Sequence, residues 1–170
     1  MPLASTHIET DLGTMIAAAS EKGICMLSFA DCKHFALKLQ KLSGAFKTPI
    51  GQGSSPYFEI LKKQISEYFN GKRKQFDVPL DLAGTEFQKQ VWNVLLQIPY
   101  GKTISYAEQA VLLGKLSAVR AVASANGKNK IGIIVPCHRV IGANAALTGY
   151  DGGLWRKRRL LELEGSLQIK

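Results

Sequence analysis

The segment Ile131–Ile141 has the sequence Ile-Gly-Ile-Ile-Val-Pro-Cys-His-Arg-Val-Ile. The residues before Pro136 are apolar and mostly β-branched, a composition that favours a buried strand. Pro136 has no N–H to donate to a sheet, so the strand is predicted to end there. Because Cys137, His138 and Arg139 come next, the segment is interpreted as a strand that presents a single thiol.

Two roles remain open for the thiol of Cys137, a nucleophile or a structural cysteine. His138 is its neighbour, but successive side chains of a strand point to opposite faces. A working Cys–His pair would therefore need a turn or a bridging water. Cys25 and Cys32 are interpreted as inert, buried thiols.

The spacing of cysteines and histidines disfavours a metal site. Cys25, Cys32 and His34 could form part of a zinc site, but the usual pair of cysteines two to four residues apart is absent. We therefore expect no metal and no other cofactor.

The 170-residue chain is basic, with a formal net charge of +9. Residues 85–170 hold 12 basic against 5 acidic side chains, whereas residues 1–84 hold 10 against 8. A solvated basic surface and a polyanion-binding half both fit this asymmetry. No apolar run approaches the roughly 20 residues of a membrane span, and the N-terminus does not resemble a signal peptide. These features predict a cytoplasmic protein, or a nuclear one in a eukaryote, with no membrane partner.

The first half of the chain is predicted to contain short strands and two helices. Strands are predicted at residues 8–11, 15–19, 24–29 and 76–80. Asp31 could cap the first helix, residues 43–55 are predicted as a loop, and Pro56 suits the first position of the second helix.

From Thr85 the pattern becomes helical, which predicts a domain of residues 1–83 and a second of residues 84–170. Thr85 and Ser105 stand at N-cap positions, and Glu108 completes a capping box with Ser105. The predicted fold class is α/β (α+β), with a small N-terminal domain of sheet and helices. The C-terminal domain is predicted to be mostly helical, with a helix-turn-helix.

The predicted helix-turn-helix consists of helices that open at Ser105 and Ser117 and are joined through Gly114. The outer face of the second helix carries Ser117, Arg120, Ala121 and Ser124. A major-groove reader needs several long polar side chains, so this face better fits a minor groove, with Arg120 free to probe the base stack. A packing face against another helix is the alternative.

Glu164 stands near the end of the last predicted helix, where the helix dipole disfavours a negative charge. A partner such as His138 would compensate, and a solvated glutamate is the alternative. The basic run of residues 156–159 is either a solvated face or a set of phosphate contacts.

Together these motifs resemble one protein family. Pro136–Val140, with the sequence Pro-Cys-His-Arg-Val, resembles the active-site signature of the O6-alkylguanine-DNA alkyltransferases, also called methylated-DNA–protein-cysteine methyltransferases. The resemblance covers about residues 84–165 and includes Gly84–Gln88, Val91-Trp92, Ile104–Tyr106, Arg120–Val122, Asn129, Gly149-Tyr150, Gly152–Leu154 and Leu160–Gly165. Residues 1–83 resemble the family's variable N-terminal domain only loosely.

The resemblance implies an irreversible transfer of an alkyl group from O6-alkylguanine in DNA, or from O4-alkylthymine, to Cys137. Each molecule would act once. His138 would take the thiol proton through a water, and Glu164 would orient His138. Tyr106 would donate toward guanine N3, and Asn129 would tie the recognition helix to the active-site turn.

The resemblance also implies how DNA binds. A monomer would bind double-stranded DNA through the minor groove and flip the alkylated guanine out, with Arg120 filling the vacated place. Ser117, Ala121 and Ser124 would lie against the DNA. The base pocket would be lined by Tyr150, the Asp151 backbone, and the carbonyls of Cys137 and Val140.

Several positions depart from the family pattern. Lys130 and Gly132 stand where many relatives have proline, and Asp151 replaces a small residue. Gly132 removes a ring from the pocket wall, so we predict a roomier pocket that holds benzyl-type substrates less well. Ser20 stands near a zinc-ligand position of the metal-binding members, which also argues against metal.

Two other functions remain open. A non-catalytic binder of alkylated DNA would share the fold, but such proteins lack the cysteine that Cys137 supplies. A Cys–His hydrolase would leave the helix-turn-helix unexplained.

Overall fold

The computed structural model describes residues 2–167, which form two compact units. The first unit ends at Ala83 and the second begins at Gly84. Both contain helices and strands, so the predicted α/β class is confirmed. Within residues 2–167, no helix has both the length and the apolar character needed to cross a bilayer.

The first unit is a four-stranded sheet with two helices. Its first three strands form an antiparallel meander and the fourth pairs in parallel with the first, which gives the order β3-β2-β1-β4. The elements are β1 (Leu3–Thr10), β2 (Gly13–Ala19), β3 (Ile24–Phe29), α1 (Phe35–Phe46), β4 (Ile50–Gln52) and α2 (Pro56–Phe69). Every residue of β3 is buried, which explains why its sequence is apolar except at Ser28.

Several predictions for this unit are wrong in detail. Strand β1 begins at Leu3 because its first half pairs with β2 and β4, although its polar residues hide the alternation. The N-cap of α1 is His34 rather than Asp31, and no side chain caps that helix. Residues 43–55 include the end of α1 and strand β4. In the segment 76–80 only Leu80 forms a β-bridge, with Ile24.

The second unit is mostly helical, with one two-stranded parallel sheet that pairs Ile104 with Val140 and Ser105 with Ile141. Its elements are α3 (Glu86–Leu96), β5 (Ile104–Ser105), α4 (Tyr106–Leu112), α5 (Val119–Gly127), β6 (Val140–Ile141) and α6 (Leu154–Leu163). Complete capping boxes begin α3 at Thr85 and α4 at Ser105, so both predicted N-caps are confirmed.

Helix α5 begins two residues later than predicted. Ser117 lies inside a short 3₁₀ turn, Leu116–Ala118, and the N-cap of α5 is Ala118. The two-helix unit of α4 and α5 is nevertheless present where the sequence predicts it.

The predicted strand over residues 131–135 is wrong. The backbone there forms tight turns, in which Ile134 N–H donates to Gly132 O over 2.7 Å and Val135 N–H donates to Ile131 O over 3.1 Å. Ile133 has a φ of 69°, a left-handed conformation that β-branched residues rarely adopt. Its side chain is buried, so packing rather than sheet pairing accounts for the apolar run.

Candidate active site

Cys137 opens a 3₁₀ turn, Cys137–Arg139, directly after Pro136. The backbone N–H of Cys137 donates to Val135 O over 2.8 Å, which fixes the start of the turn. Cys137 is partly exposed, whereas His138 and Arg139 are buried. In a 3₁₀ turn successive side chains point about 120° apart. The turn therefore presents the thiol outward and sends the two basic side chains into the unit.

His138 is fully buried against a carboxylate. Its Nε2 lies 2.8 Å from Oε2 of Glu164, the C-cap residue of α6. Burial lowers the pKa of His138, and hydrogen bonding and charge from Glu164 oppose that shift. A carboxylate only accepts hydrogen bonds, so neutral His138 carries its proton on Nε2. Its Nδ1 is then a buried lone pair, and no described residue forms a hydrogen bond with it.

Arg139 holds the same carboxylate from its other side. Its Nε donates to Oε1 of Glu164 over 2.8 Å and its Nη2 to Oε2 over 3.1 Å, while Nη1 donates to Ile98 O over 2.7 Å. Burial acts to raise the pKa of Glu164, but hydrogen bonds from His138 and Arg139 and the positive charge of the Arg139 guanidinium lower it to about 2. Glu164 is therefore an anion held rigidly beside His138.

No role for Arg139 was predicted from the sequence. The only available signal was its place beside His138 in the turn, and a single sequence does not show where the guanidinium points. Chemically, the group of His138, Arg139 and Glu164 provides a neutral base with a buried lone pair. The adjacent carboxylate can stabilise that base when it takes up a proton.

Tyr106 is the first residue of α4, after the cap residue Ser105. Its hydroxyl donates to Thr148 O over 2.9 Å. Burial raises the pKa of Tyr106, a hydrogen bond with the side chain of Thr148 opposes this shift, and the charge of Cys137 adds to the increase. The phenol therefore keeps its proton, remains a donor, and lies within electrostatic reach of the thiol.

Lys157 is a fully buried cation, although it belongs to the basic run that the sequence places at the surface. Its Nζ donates to three backbone carbonyls, those of Val140 at 2.6 Å, Thr148 at 2.8 Å and Gly149 at 3.3 Å. Burial lowers its pKa to about 8, and the charge of Cys137 opposes this shift. Lys157 thus binds both ends of the segment 140–149 to α6.

The other residues of the basic run differ from one another. Arg156 is buried, donates to Gly152 O over 3.1 Å and lies over the ring of Trp155. Arg158 pairs with Glu162 at the surface. The interpretation of this run as one solvated or phosphate-binding face is therefore wrong for Arg156 and Lys157.

We predict that Lys157→Met loosens the segment 140–149. Methionine fills a similar volume but donates no hydrogen bond, so three carbonyls lose their shared donor. Backbone amides of this segment should exchange about tenfold faster with solvent, measured by hydrogen–deuterium exchange. Arg158→Met, at the adjacent exposed position, is the matched control and should leave this exchange unchanged. Equal exchange rates in both variants and the parent protein would contradict this role of Lys157.

Asn129 connects the end of α5 to the turn that precedes Cys137. Its Nδ2 donates to Val135 O over 2.8 Å, and its Oδ1 accepts from Ile131 N–H over 2.9 Å. Val135 O is also the acceptor of the Cys137 N–H. One carbonyl therefore links the helix pair to the cysteine.

The remaining candidate residues lie in two groups. On α5 and the turn before it, an exposed face is formed by Ser117, Arg120, Ala121 and Ser124. Gly132, Tyr150 and Asp151 are half-buried, whereas Val140 is buried and its carbonyl is bound by Lys157. Any further donor to that carbonyl must share it with the lysine.

The cysteines and histidine considered for zinc do not assemble. Burial, together with the charge of Asp81, raises the pKa of the Cys25 thiol to about 12, and Cys32 Sγ lies 3.2 Å from Ser28 Oγ. Among residues 2–167, no three His, Cys, Asp or Glu side chains form a group that could hold a metal ion.

Comparison with known proteins identifies matches to both units. Residues 86–166 match the family described as 6-O-methylguanine DNA methyltransferase, DNA binding domain. Residues 3–82 match the 6-O-methylguanine DNA methyltransferase, ribonuclease-like domain.

Individual relatives carry the corresponding names. The methylated-DNA–protein-cysteine methyltransferase of Methanosarcina acetivorans is 44% identical over 161 residues, which cover 93% of this chain and 96% of the relative. The protein of the same name from Mycobacterium tuberculosis H37Rv is 61% identical over 103 residues, 61% of this chain. That match spans only 62% of the mycobacterial protein's length.

Solved structures agree with the sequence matches. The crystal structure of Mycobacterium tuberculosis O6-methylguanine methyltransferase superposes with a TM-score of 0.81 at 42% identity, covering 96% of this chain and 93% of that one. The Mycobacterium tuberculosis protein in complex with DNA gives the same values.

Proposed function

The chain belongs to the 6-O-methylguanine DNA methyltransferase family, and on that premise we propose that it repairs alkylated DNA directly. It transfers an alkyl group from O6 of guanine to its own Cys137, and each molecule acts once. The observation that carries this proposal is the buried group of His138, Arg139 and Glu164 directly beside a partly exposed cysteine. This arrangement suits a displacement that needs a thiolate.

The chemical step uses the groups of the turn. His138 takes the thiol proton at Nδ1 through a water, and the Glu164 carboxylate stabilises the resulting imidazolium. The Cys137 thiolate attacks the alkyl carbon, a C–S bond forms as the C–O6 bond breaks, and the electron pair stays on guanine. The thioether formed on Cys137 does not readily give its alkyl group up again, so each protein molecule is consumed by one reaction.

Tyr106 donates toward guanine N3 and lessens the negative charge on the departing base. Its single hydroxyl proton is donated to Thr148 O, so the hydroxyl must change partner when the base enters. Lys157 remains on Thr148 O and holds the segment in place during that exchange. Tyr150 and the Asp151 backbone line the base pocket, and Gly132 leaves room in its wall.

DNA enters by the exposed face of α5. A monomer binds the duplex through the minor groove, because the small side chains of Ser117, Ala121 and Ser124 permit close approach. The target guanine rotates out of the duplex, since O6 is inaccessible to a thiol within the stack. Arg120 fills the vacated place. Residues 84–170 form the DNA-binding domain, and residues 1–83 support it. The protein acts in the cytoplasm, or in the nucleus of a eukaryote.

Arg120→Ala tests the insertion. We expect repair of O6-methylguanine in duplex DNA to fall about tenfold, because a lost interaction of about 1.4 kcal/mol changes a rate tenfold. Reaction with the free O6-methylguanine base should stay within about twofold of the parent rate, because no stack needs filling. Arg159→Ala, an exposed cation on α6, is the matched control for lost charge. Equal losses on both substrates would refute the role of Arg120.

Mass spectrometry tests the proposed function itself. The intact protein is incubated with a duplex oligonucleotide that carries one O6-methylguanine. We expect a gain of one methyl group per protein molecule, with no further turnover when DNA is in excess. Binding without a mass gain would favour the non-catalytic binder of alkylated DNA. Repeated turnover of an ester or peptide would favour the hydrolase.

A further inference from the structure

A reciprocal pair of buried side-chain amides joins the two helices of the helix-turn-helix. Nε2 of Gln109 in α4 donates to Oδ1 of Asn126 in α5 over 2.8 Å, and Nδ2 of Asn126 donates to Oε1 of Gln109 over 2.7 Å. Both residues are buried. Because each amide donates to and accepts from the other, the pair fixes orientation as well as distance, which apolar packing alone does not.

Helix α5 lacks the local features that fix its neighbours. Helices α3 and α4 both begin with complete capping boxes. The N-cap of α5, Ala118, makes no side-chain hydrogen bond, and the helix has neither an acidic residue in its first turn nor a basic residue in its last. A helix of nine residues is not stable by propensity alone, so tertiary contacts must set its position.

The polar tertiary contacts of α5 lie at its C-terminal end. Trp92 Nε1 donates to Ala125 O over 2.9 Å, and the amide pair holds the next residue, Asn126. Asn129 follows and binds Val135 O, the acceptor of the Cys137 N–H. Arg120 is the second residue of α5, at the other end of the helix, and its direction depends on this anchor.

We propose that the Gln109–Asn126 pair sets the rotation of α5 about its own axis and thereby the direction of Arg120. Arg120 precedes Asn126 by six residues, which places the two side chains about 120° apart around the helix. Any rotation at the anchored end moves Arg120 through the same angle. Gln109 and Asn126 are therefore positioning residues for reaction on duplex DNA. This inference rests on the proposed function, in which Arg120 enters the base stack.

The double variant Gln109→Leu/Asn126→Leu tests the inference, because it removes both amides without leaving one of them unpaired. We expect reaction with the free O6-methylguanine base within about twofold of the parent rate, since the turn of Cys137 is untouched. Reaction with O6-methylguanine in duplex DNA should be about tenfold slower. A merely structural role would slow both reactions together, and an unchanged duplex rate would overturn the inference.

Asn126→Asp keeps the volume of the side chain and decides the question if the leucine variant does not fold. An ionised carboxylate accepts from Gln109 but cannot donate to it, so one of the two bonds is lost. We again expect a selective loss of rate on duplex DNA. If Asn126→Asp changes the rate on duplex DNA and the rate on the free base by the same factor, the inference is overturned. Asn93→Asp, at an exposed position of α3, is the matched control.

The failure of the proposed function and the failure of this inference give different results. Absence of reaction in the parent protein would refute the proposed function, whereas a reactive parent protein with unaffected variants would refute only the inference.

Discussion

Cys137→Ala is expected to abolish methyl uptake from a duplex that carries O6-methylguanine. The reaction forms a bond to sulfur, and no other group of the turn can replace a soft, charged nucleophile in a displacement at carbon. Intact-protein mass spectrometry and peptide mapping should locate the methyl group on Cys137 in the parent protein and find none in the variant. Affinity for the damaged duplex should stay within about twofold, because phosphate contacts supply most of it.

The other two cysteines provide matched controls within the same chain. Cys25 is fully buried with a pKa raised to about 12 by burial and by Asp81, and Cys32 lies against Ser28. Cys25→Ala and Cys32→Ala should therefore lose some stability but keep full stoichiometric uptake. Methyl transfer that survives in Cys137→Ala, or that disappears equally in all three variants, would contradict the assignment of the nucleophile.

Helices α3 and α4 of the second unit were predictable because their signals are local. Thr85 and Ser105 each stand three residues before the side chain that completes a capping box, and this spacing is visible in the sequence. The apolar stripe of α3 is local in the same way, since Val91, Val94 and Leu95 recur at helical spacing and are buried. Such features need no knowledge of the rest of the fold.

The segment before Cys137 was not predictable because burial alone does not choose between strand and turn. A short apolar run fits a buried strand, and nothing local reveals that Ile133 adopts a φ of 69°. Asn129 holds these turns, since its Oδ1 accepts from Ile131 N–H and its Nδ2 donates to Val135 O. Consequently the thiol is presented by a chain of turns rather than by the end of a strand.

The burial of Lys157 also could not be predicted from the sequence. A run of basic residues is usually solvated, yet Lys157 donates to three carbonyls inside the second unit. These carbonyls belong to a segment with neither helical nor strand periodicity, so no sequence pattern indicates that the segment contacts α6. The helix-dipole argument does predict a partner for Glu164, and the structure provides two, His138 and Arg139.

Glu164→Gln is expected to slow methyl transfer about 100-fold at saturating DNA, a magnitude typical for loss of support to a general base. A neutral amide cannot balance the imidazolium that forms when His138 takes the thiol proton. Single-turnover kinetics with O6-methylguanine duplex measure the rate, and fluorescence anisotropy measures DNA affinity, which should change little. Leaving the buried Arg139 without its counterion should also cost about 3–5 kcal/mol of stability, so rates must be compared where both proteins are folded.

The pH dependence of stability provides a second readout for the same variant. Hydrogen bonds from His138 and Arg139, together with the charge of Arg139, overcome the effect of burial and lower the pKa of Glu164 from the ordinary value of 4.5 to about 2. Its ionised form therefore contributes stability that is complete above pH 4.5 and is lost as the pH falls toward 2. Urea unfolding between those pH values should show that Glu164→Gln lacks this contribution. Glu162→Gln is the control, because it loses only the surface pair with Arg158. This control should retain the pH-dependent stability and react at the parent rate. If Glu164→Gln weakens DNA binding but leaves the rate of methyl transfer at saturating DNA unchanged, Glu164 has no role in the proton transfer.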